Sequence, residues 1–124
     1  MWKIARIAGV WLVTILLAGM SLMAGSFKFT QSATWDRMFT RWGYATWFRP
    51  IVGVTEVAAG LLVLAPPVAA YGAMTMGVTM VGAVATHVVH GEMQRVPSPL
   101  ILLVLSLIVL AARRPAWLRR RAGP

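Results

Sequence analysis

The chain carries three carboxylates, Asp36, Glu56 and Glu92. Glu56 stands in the middle of an apolar and small-residue run from Arg49 to Pro67, RPIVGVTEVAAGLLVLAPP. A carboxylate among such neighbours can be protonated, pair with a cation, or hydrogen-bond a ligand or a neighbouring helix. A second group lies in THVVHGE, from Thr86 to Glu92. His87 and His90 are three apart, which puts both on one side of a helix. Two such imidazoles can begin a metal site, with Glu92 as a third ligand. They are the only histidines in the chain, so the ligand set is incomplete and no metal is expected. Lys28 is the third group of interest. Its position just past an apolar run favours snorkelling to lipid headgroups; the alternative is a charge partner for Glu56. With no cysteine, thiol–disulfide exchange and cysteine-ligated clusters are excluded.

The elements that must position these residues are set by hydropathy. Of 124 residues, 59% are hydrophobic and only 12% are charged. Soluble domains average roughly 45–50% and ~25%, so this chain lacks the polar surface a small soluble protein needs. An integral membrane protein follows. Four apolar spans are expected, at about 4–26, 47–65, 68–90 and 99–114. A helix needs about 20 residues to cross a bilayer core. The second reaches a workable length through the aromatic anchor at Trp47 and Phe48, and the fourth through Arg113 and Arg114. The first is longer than the ~7–15 apolar residues of a signal-peptide core, and more spans follow it, so it is expected to be retained.

Between the first two spans, Trp35, Met38, Phe39 and Trp42 follow i, i+3, i+4, i+7, with Asp36, Arg37, Thr40 and Arg41 opposite. This spacing predicts a short amphipathic helix at about 33–42, lying in the membrane interface. Gly43 is expected to end it. Ala65-Pro66-Pro67 makes a tight turn between the second and third spans. That turn sets Glu56 level with about Gly77 and His87 level with about Thr46. The offset between Glu56 and His87 is then ~15 Å at 1.5 Å per residue, which disfavours a direct ion pair. Gly53 and Gly60 share a face with Glu56 and would let a neighbouring helix approach. Glu56 is therefore expected to face inward. Met76 and Met80 lie near the face of His87, as core packing or as an adaptable lining for an apolar ligand.

The net charge of +9 does not indicate nucleic acid, because the basic residues flank apolar spans and suit anionic headgroups. Lys3, Arg6, Arg113, Arg114, Arg119, Arg120 and Arg121 fall on the side of the termini. Lys28, Arg37, Arg41, Arg49 and Arg95 fall on the other. Seven against five favours cytoplasmic termini.

Taken together, AGSFKF after the first span, RWGYATWF before the second, VGVTEVAAGLLVLAP through the second and GAMTMGVTMVGAVATH in the third resemble the DoxX-like family of small membrane proteins. The ordered set covers most of the chain: an aromatic-Gly-Tyr loop, an intramembrane glutamate, then a Thr-His pair. Members often read Gly-Tyr-Pro in the loop, whereas Ala45 follows Tyr44 here. The resemblance implies an all-α four-helix transmembrane bundle in the bacterial cytoplasmic membrane. It also implies a link to quinone-dependent oxidoreductases and to quinone handling. The matching residues are Lys28, Trp42, Gly43, Tyr44, Glu56 and His87. The wider fold looks like that of vitamin K epoxide reductase, whose cysteine chemistry cannot carry over.

Two functions are weighed. In the first, the outer half of the bundle binds a quinone or similar apolar ring. Glu56 and His87 exchange protons with it, Lys28 lies close by, and Trp42, Tyr44, Met76 and Met80 flank it. No cofactor is evident, so a redox partner protein would supply electrons. In the second, the protein is a non-enzymatic lipid-binding or assembly subunit. A homo-oligomer stays open under either.

Overall fold

The computed structural model describes residues 1–115; Arg119, Arg120 and Arg121 of the basic tail lie outside the described residues. Five α-helices are present among them: α1 (Trp2–Thr30), α2 (Ser32–Arg41), α3 (Phe48–Val63), α4 (Ala69–Val89) and α5 (Pro97–Ala112). Single 3-10 turns at Pro66–Val68 and Met93–Arg95 lead into α4 and α5. Three segments are long and apolar enough to cross a membrane: Trp2–Thr30, Pro66–Val89 and Met93–Ala112. The 16-residue α3 is shorter.

Helix ends fall within two or three residues of expectation, with one consequential exception. The first helix was expected to stop at Ser26 but runs on to Thr30. The extra turn keeps Lys28 in helical phase with Ser21 and Gly25, on the buried face. Residues i, i+4 and i+7 share a stripe, so Lys28 points into the bundle rather than to its rim.

α1 packs on α3, α3 on α4, α4 on α5, and α5 back on α1, while α2 rests against α1 and α3. The burial pattern is inside out relative to a soluble bundle. α1 buries Thr14, Leu17, Ala18, Ser21, Gly25 and Lys28, while Leu12, Ile15, Leu16 and Met23 are exposed. α5 does the same, burying Ser106 and exposing Leu107 and Ile108. Large apolar side chains facing outward on several helices suit a lipid surroundings, and small residues inside let backbones approach.

That approach is closest between α1 and α3. A Cβ on Gly25 would lie 2.7 Å from the Gly53 carbonyl oxygen, and one on Gly60 3.2 Å from that of Ala18. Gly72 of α4 meets the Ala59 carbonyl at 2.8 Å in the same sense. Gly53 and Gly60 thus line contacts within the chain. Gly25 and Gly72 supply the partner surfaces. Against this frame Met76 and Met80 are packed in the core with Leu17, Ala59, Val63 and Leu102.

Hydroxyls inside the bundle mostly satisfy themselves. Thr14, Thr75, Thr79, Thr86 and Ser106 each donate to the carbonyl four residues back, a local solution where water is absent. Ser21 does not; its hydroxyl is buried without a hydrogen-bond partner.

Candidate functional site

The residues singled out by sequence fall into two centres at the α2 end of the bundle and one packed core. The first centre is an ion pair. Lys28 Nζ lies 2.6 Å from Glu56 Oε1, with the two side chains only 8% and 2% exposed. Lys28 is therefore the partner of Glu56, which corrects the snorkelling expectation. The helix stripe Ser21–Gly25–Lys28 and the close α1–α3 contact bring the two together. The ammonium also sits 4.3 Å from the centroid of the Trp35 ring and 3.4 Å from the Ala24 carbonyl oxygen.

Among the described residues, Lys28 is the one polar partner of the Glu56 carboxylate. The α1–α3 contacts place Ser21 level with about Ala59, and the Gly72 contacts with Ala59 and Val63 place Met76 near the level of Glu56. The interior thus holds an unpartnered serine hydroxyl and a carboxylate with a single cation beside it. Buried polar groups are nearly always hydrogen-bonded. Both keep capacity for a further donor or acceptor.

The second centre is built on Glu92. It accepts from Arg41 Nη2 at 2.6 Å through Oε2, and from Trp42 Nε1 at 3.0 Å through Oε1. His87 Nδ1 lies 3.0 Å from the same Oε1; facing a carboxylate, that nitrogen carries the proton. Its ring stands edge-on to Trp42, with centroids 5.4 Å apart. The hydrogen bond to His87 is the main influence holding the Glu92 carboxyl below the usual carboxylate range. Burial opposes it, while the Trp42 N–H and the charges of Arg41 and Arg95 assist.

Two helix caps create this second centre. Gly43 (φ 86°) and Gly91 (φ 69°) both adopt the left-handed conformation. After α2, Gly43 N donates to Thr40 O and Tyr44 N to Phe39 O; after α4, Gly91 N donates to Val88 O and Glu92 N to His87 O. This paired bonding is the Schellman motif. It turns the residue after each glycine back over the helix. Tyr44 thereby reaches Thr86, with the two hydroxyl oxygens 2.7 Å apart. Thr86 already donates to Gly82 O, so Tyr44 donates to Thr86.

Phe39 links the two centres. Its ring lies 6.3 Å from Trp35, 5.5 Å from Trp42, 5.9 Å from Tyr44 and 6.0 Å from Phe48. Arg49 ties the base of the cluster together, donating to Asp36 Oδ1 at 2.6 Å and to the Lys28 carbonyl at 2.8 Å. Lys28, Trp42, Tyr44, Glu56 and His87 therefore converge on one end of the bundle, but His87 pairs with Glu92 and not with Glu56. His90 bonds the Thr86 carbonyl through Nδ1 at 2.8 Å and does not join His87. No metal-holding group of three His, Asp or Glu occurs among the described residues.

Sequence reasoning missed Glu92 as the hub, and Trp35, Phe39 and Arg49 as parts of the site. The apolar spacing of α2 puts Trp35 and Phe39 on one face, which sequence alone assigns to the membrane interface. The His-Gly-Glu order, with glycine after the last helical turn, was the available signal for Glu92.

An all-helical fold with outward apolar faces and several membrane-length helices defines an integral membrane protein. Within that class the chain belongs to the DoxX-like family, whose model matches residues 12–109. No curated protein and no solved structure gives a significant match.

Proposed function

We propose that this protein is a ligand-binding subunit of the bacterial cytoplasmic membrane, and that it takes a quinone or a similar apolar ring bearing carbonyl oxygens. α1, α3, α4 and α5 are its four spans, with both termini cytoplasmic and α2 in the outer interface. The 16 residues of α3 make about 24 Å at 1.5 Å per residue, and the aromatic anchors at Trp47 and Phe48 extend its reach toward the interface.

The observation that carries this reading is the Lys28–Glu56 ion pair, buried in the interior with no further polar partner for the carboxylate among the described residues. A buried ion pair is weak evidence for stability, since apolar residues of similar volume often do as well or better. Ionisable groups at membrane depth face the interior and mark ligand or proton paths by default. Lys28 would donate to a ring oxygen, and Glu56 with Ser21 would exchange the proton. The rings of Trp35, Phe39, Trp42 and Tyr44 offer flat apolar sides, the surroundings a ring-shaped ligand with few polar atoms needs. Met76 and Met80 can adapt to it from the core, and His87 holds Trp42 in place. Reduction of a quinone to its quinol takes two electrons and two protons. The electrons would come from a redox partner protein, and the protons would pass through Glu56.

The test is titration of a short-chain quinone into the purified protein, read by quenching of tryptophan fluorescence. Saturable quenching that weakens about tenfold or more in Glu56→Gln, the scale of one lost charge-assisted bond, supports the reading. Equal quenching in both proteins sinks it.

A further inference from the structure

A different surface, built from residues the quinone reading does not use, has a simple electrostatic character. Between α2 and the turn before α5 lies a depression of about 280 Å³, lined by Thr34, Arg37, Met38, Arg41 and Arg95. Three of its five lining residues are arginines and none is acidic.

The arginines are poorly satisfied by the protein. Arg37 donates to the Thr34 hydroxyl at 3.4 Å. Arg95 donates to the thioether of Met38 at 3.4 Å, and a thioether is a weak acceptor. Arg41 gives one Nη to Glu92, and its side chain is still 59% exposed. Each guanidinium offers five N–H donors, so most remain free. Among the described residues, no other carboxylate supplies them. Asp36 is held by Arg49, Glu56 by Lys28, and Glu92 by Arg41 and His87. Three positive charges and one shared negative one leave a local excess.

We propose that this depression binds a phosphate group, through Arg37 and Arg95 with Arg41 beside them and the Thr34 hydroxyl as a fourth donor. Guanidinium forks match phosphate oxygens two at a time, and an anion with several acceptor oxygens uses all three. The surroundings favour the headgroup of an anionic phospholipid. Met93, Leu100 and Ile101, which flank Arg95 along the chain, are exposed and apolar and would lie along acyl chains. Free phosphate shares the same chemistry and is the other source.

The probe is native mass spectrometry of the full chain released from nanodiscs of equal phosphatidylglycerol and phosphatidylcholine, with and without added inorganic phosphate. Wild type should retain phosphatidylglycerol selectively. An arginine near an anionic lipid surface contributes about 1 kcal/mol, so Arg37→Gln/Arg95→Gln should lose about thirtyfold in affinity. Arg6→Gln, a change in α1 outside the lining residues, should lose at most the roughly fivefold share of one headgroup contact. Both test residues are exposed, and matched helicity by circular dichroism confirms that the variants fold. If inorganic phosphate binds in wild type, is lost in the double variant, and no lipid is selected, the site is one for soluble phosphate. Undiminished phosphatidylglycerol and phosphate binding in the double variant, or an equal loss in Arg6→Gln, overturns the proposal.

Discussion

Glu56 and Glu92 are the same residue type in the same bundle, yet their surroundings have opposite logic. Glu92 is 8% exposed and faces three donors, from Arg41, Trp42 and His87. Arg41 and Trp42 join the end of α2 to the turn after α4, while His87 belongs to α4 itself. Glu56 is 2% exposed and has one cation beside it. The first arrangement is a clasp, in which the charge is used up holding elements together. The second is a charge placed where desolvation is expensive, with a single buried partner. A fold selected for stability alone would avoid that. On the function proposed here, the first carboxylate builds the site and the second serves it.

The comparison can be broken most strongly at the buried pair. Lys28→Met strands Glu56 as an unpaired buried charge and should destabilise by about 3–5 kcal/mol. Lys28→Met/Glu56→Leu removes both charges and should recover most of that loss. Thermal unfolding in a fixed detergent, run as a double-mutant cycle, measures both. If the double variant is no more stable than Lys28→Met, the pair is a stability device and the contrast with Glu92 fails.

A second test concerns the contact that brings Lys28 and Glu56 together. Gly25→Ala would put a Cβ 2.7 Å from the Gly53 carbonyl oxygen, where backbone cannot easily yield. Overpacking of this kind costs about 1–3 kcal/mol. The same substitution at Gly9, where a Cβ meets nothing within 4 Å, should be neutral or better in the same unfolding assay.

Smaller effects belong to the clasp. Gly91→Ala should cost about 1–2 kcal/mol, the strain of a left-handed residue with a Cβ; open space around the position leaves the backbone as the only cause. Hydrogen exchange should then rise in α2 before the core of α1 or α3. Glu92 also gives the clasp a pH dependence. A carboxyl held below its ordinary value in the folded protein contributes stability that is fully present above its unfolded pKa, about 4.3. That stability is lost as pH falls through the lower folded value. Trp42 emission should therefore be steady near neutrality and change only under acid conditions, and Glu92→Gln should abolish that acid transition.

Much of the frame was legible in the sequence. Hydropathy placed α1, α3, α4 and α5 to within a few residues, and the i, i+3, i+4, i+7 spacing found α2. The double-proline turn gave a register that put Glu56 near the level of Met76 and Gly77, as the Gly72 contacts do. The Lys28–Glu56 pair was harder to read because it depends on α1 continuing one turn past Ser26. Nothing in FKFT contains a strong stop or start, so Lys28 could be read as rim or interior. The role of Glu92 depends on the backbone turning at Gly91. Sequence spacing offered Glu92 only as a third ligand to an incomplete metal set, and gave no sign of its bonds to Arg41 and Trp42. In both cases one turn of backbone decided which charge met which, and local pattern does not encode that.

The most direct test of the central claim uses the variant designed to keep the fold and lose the charges. Small molecules copurifying with wild type and with Lys28→Met/Glu56→Leu are compared by mass spectrometry at matched folded yield. The account predicts a quinone or related ring compound in the wild type, depleted in a double variant that remains folded. A folded double variant carrying the same ring compound in the same amount, or a wild type carrying none, would contradict it.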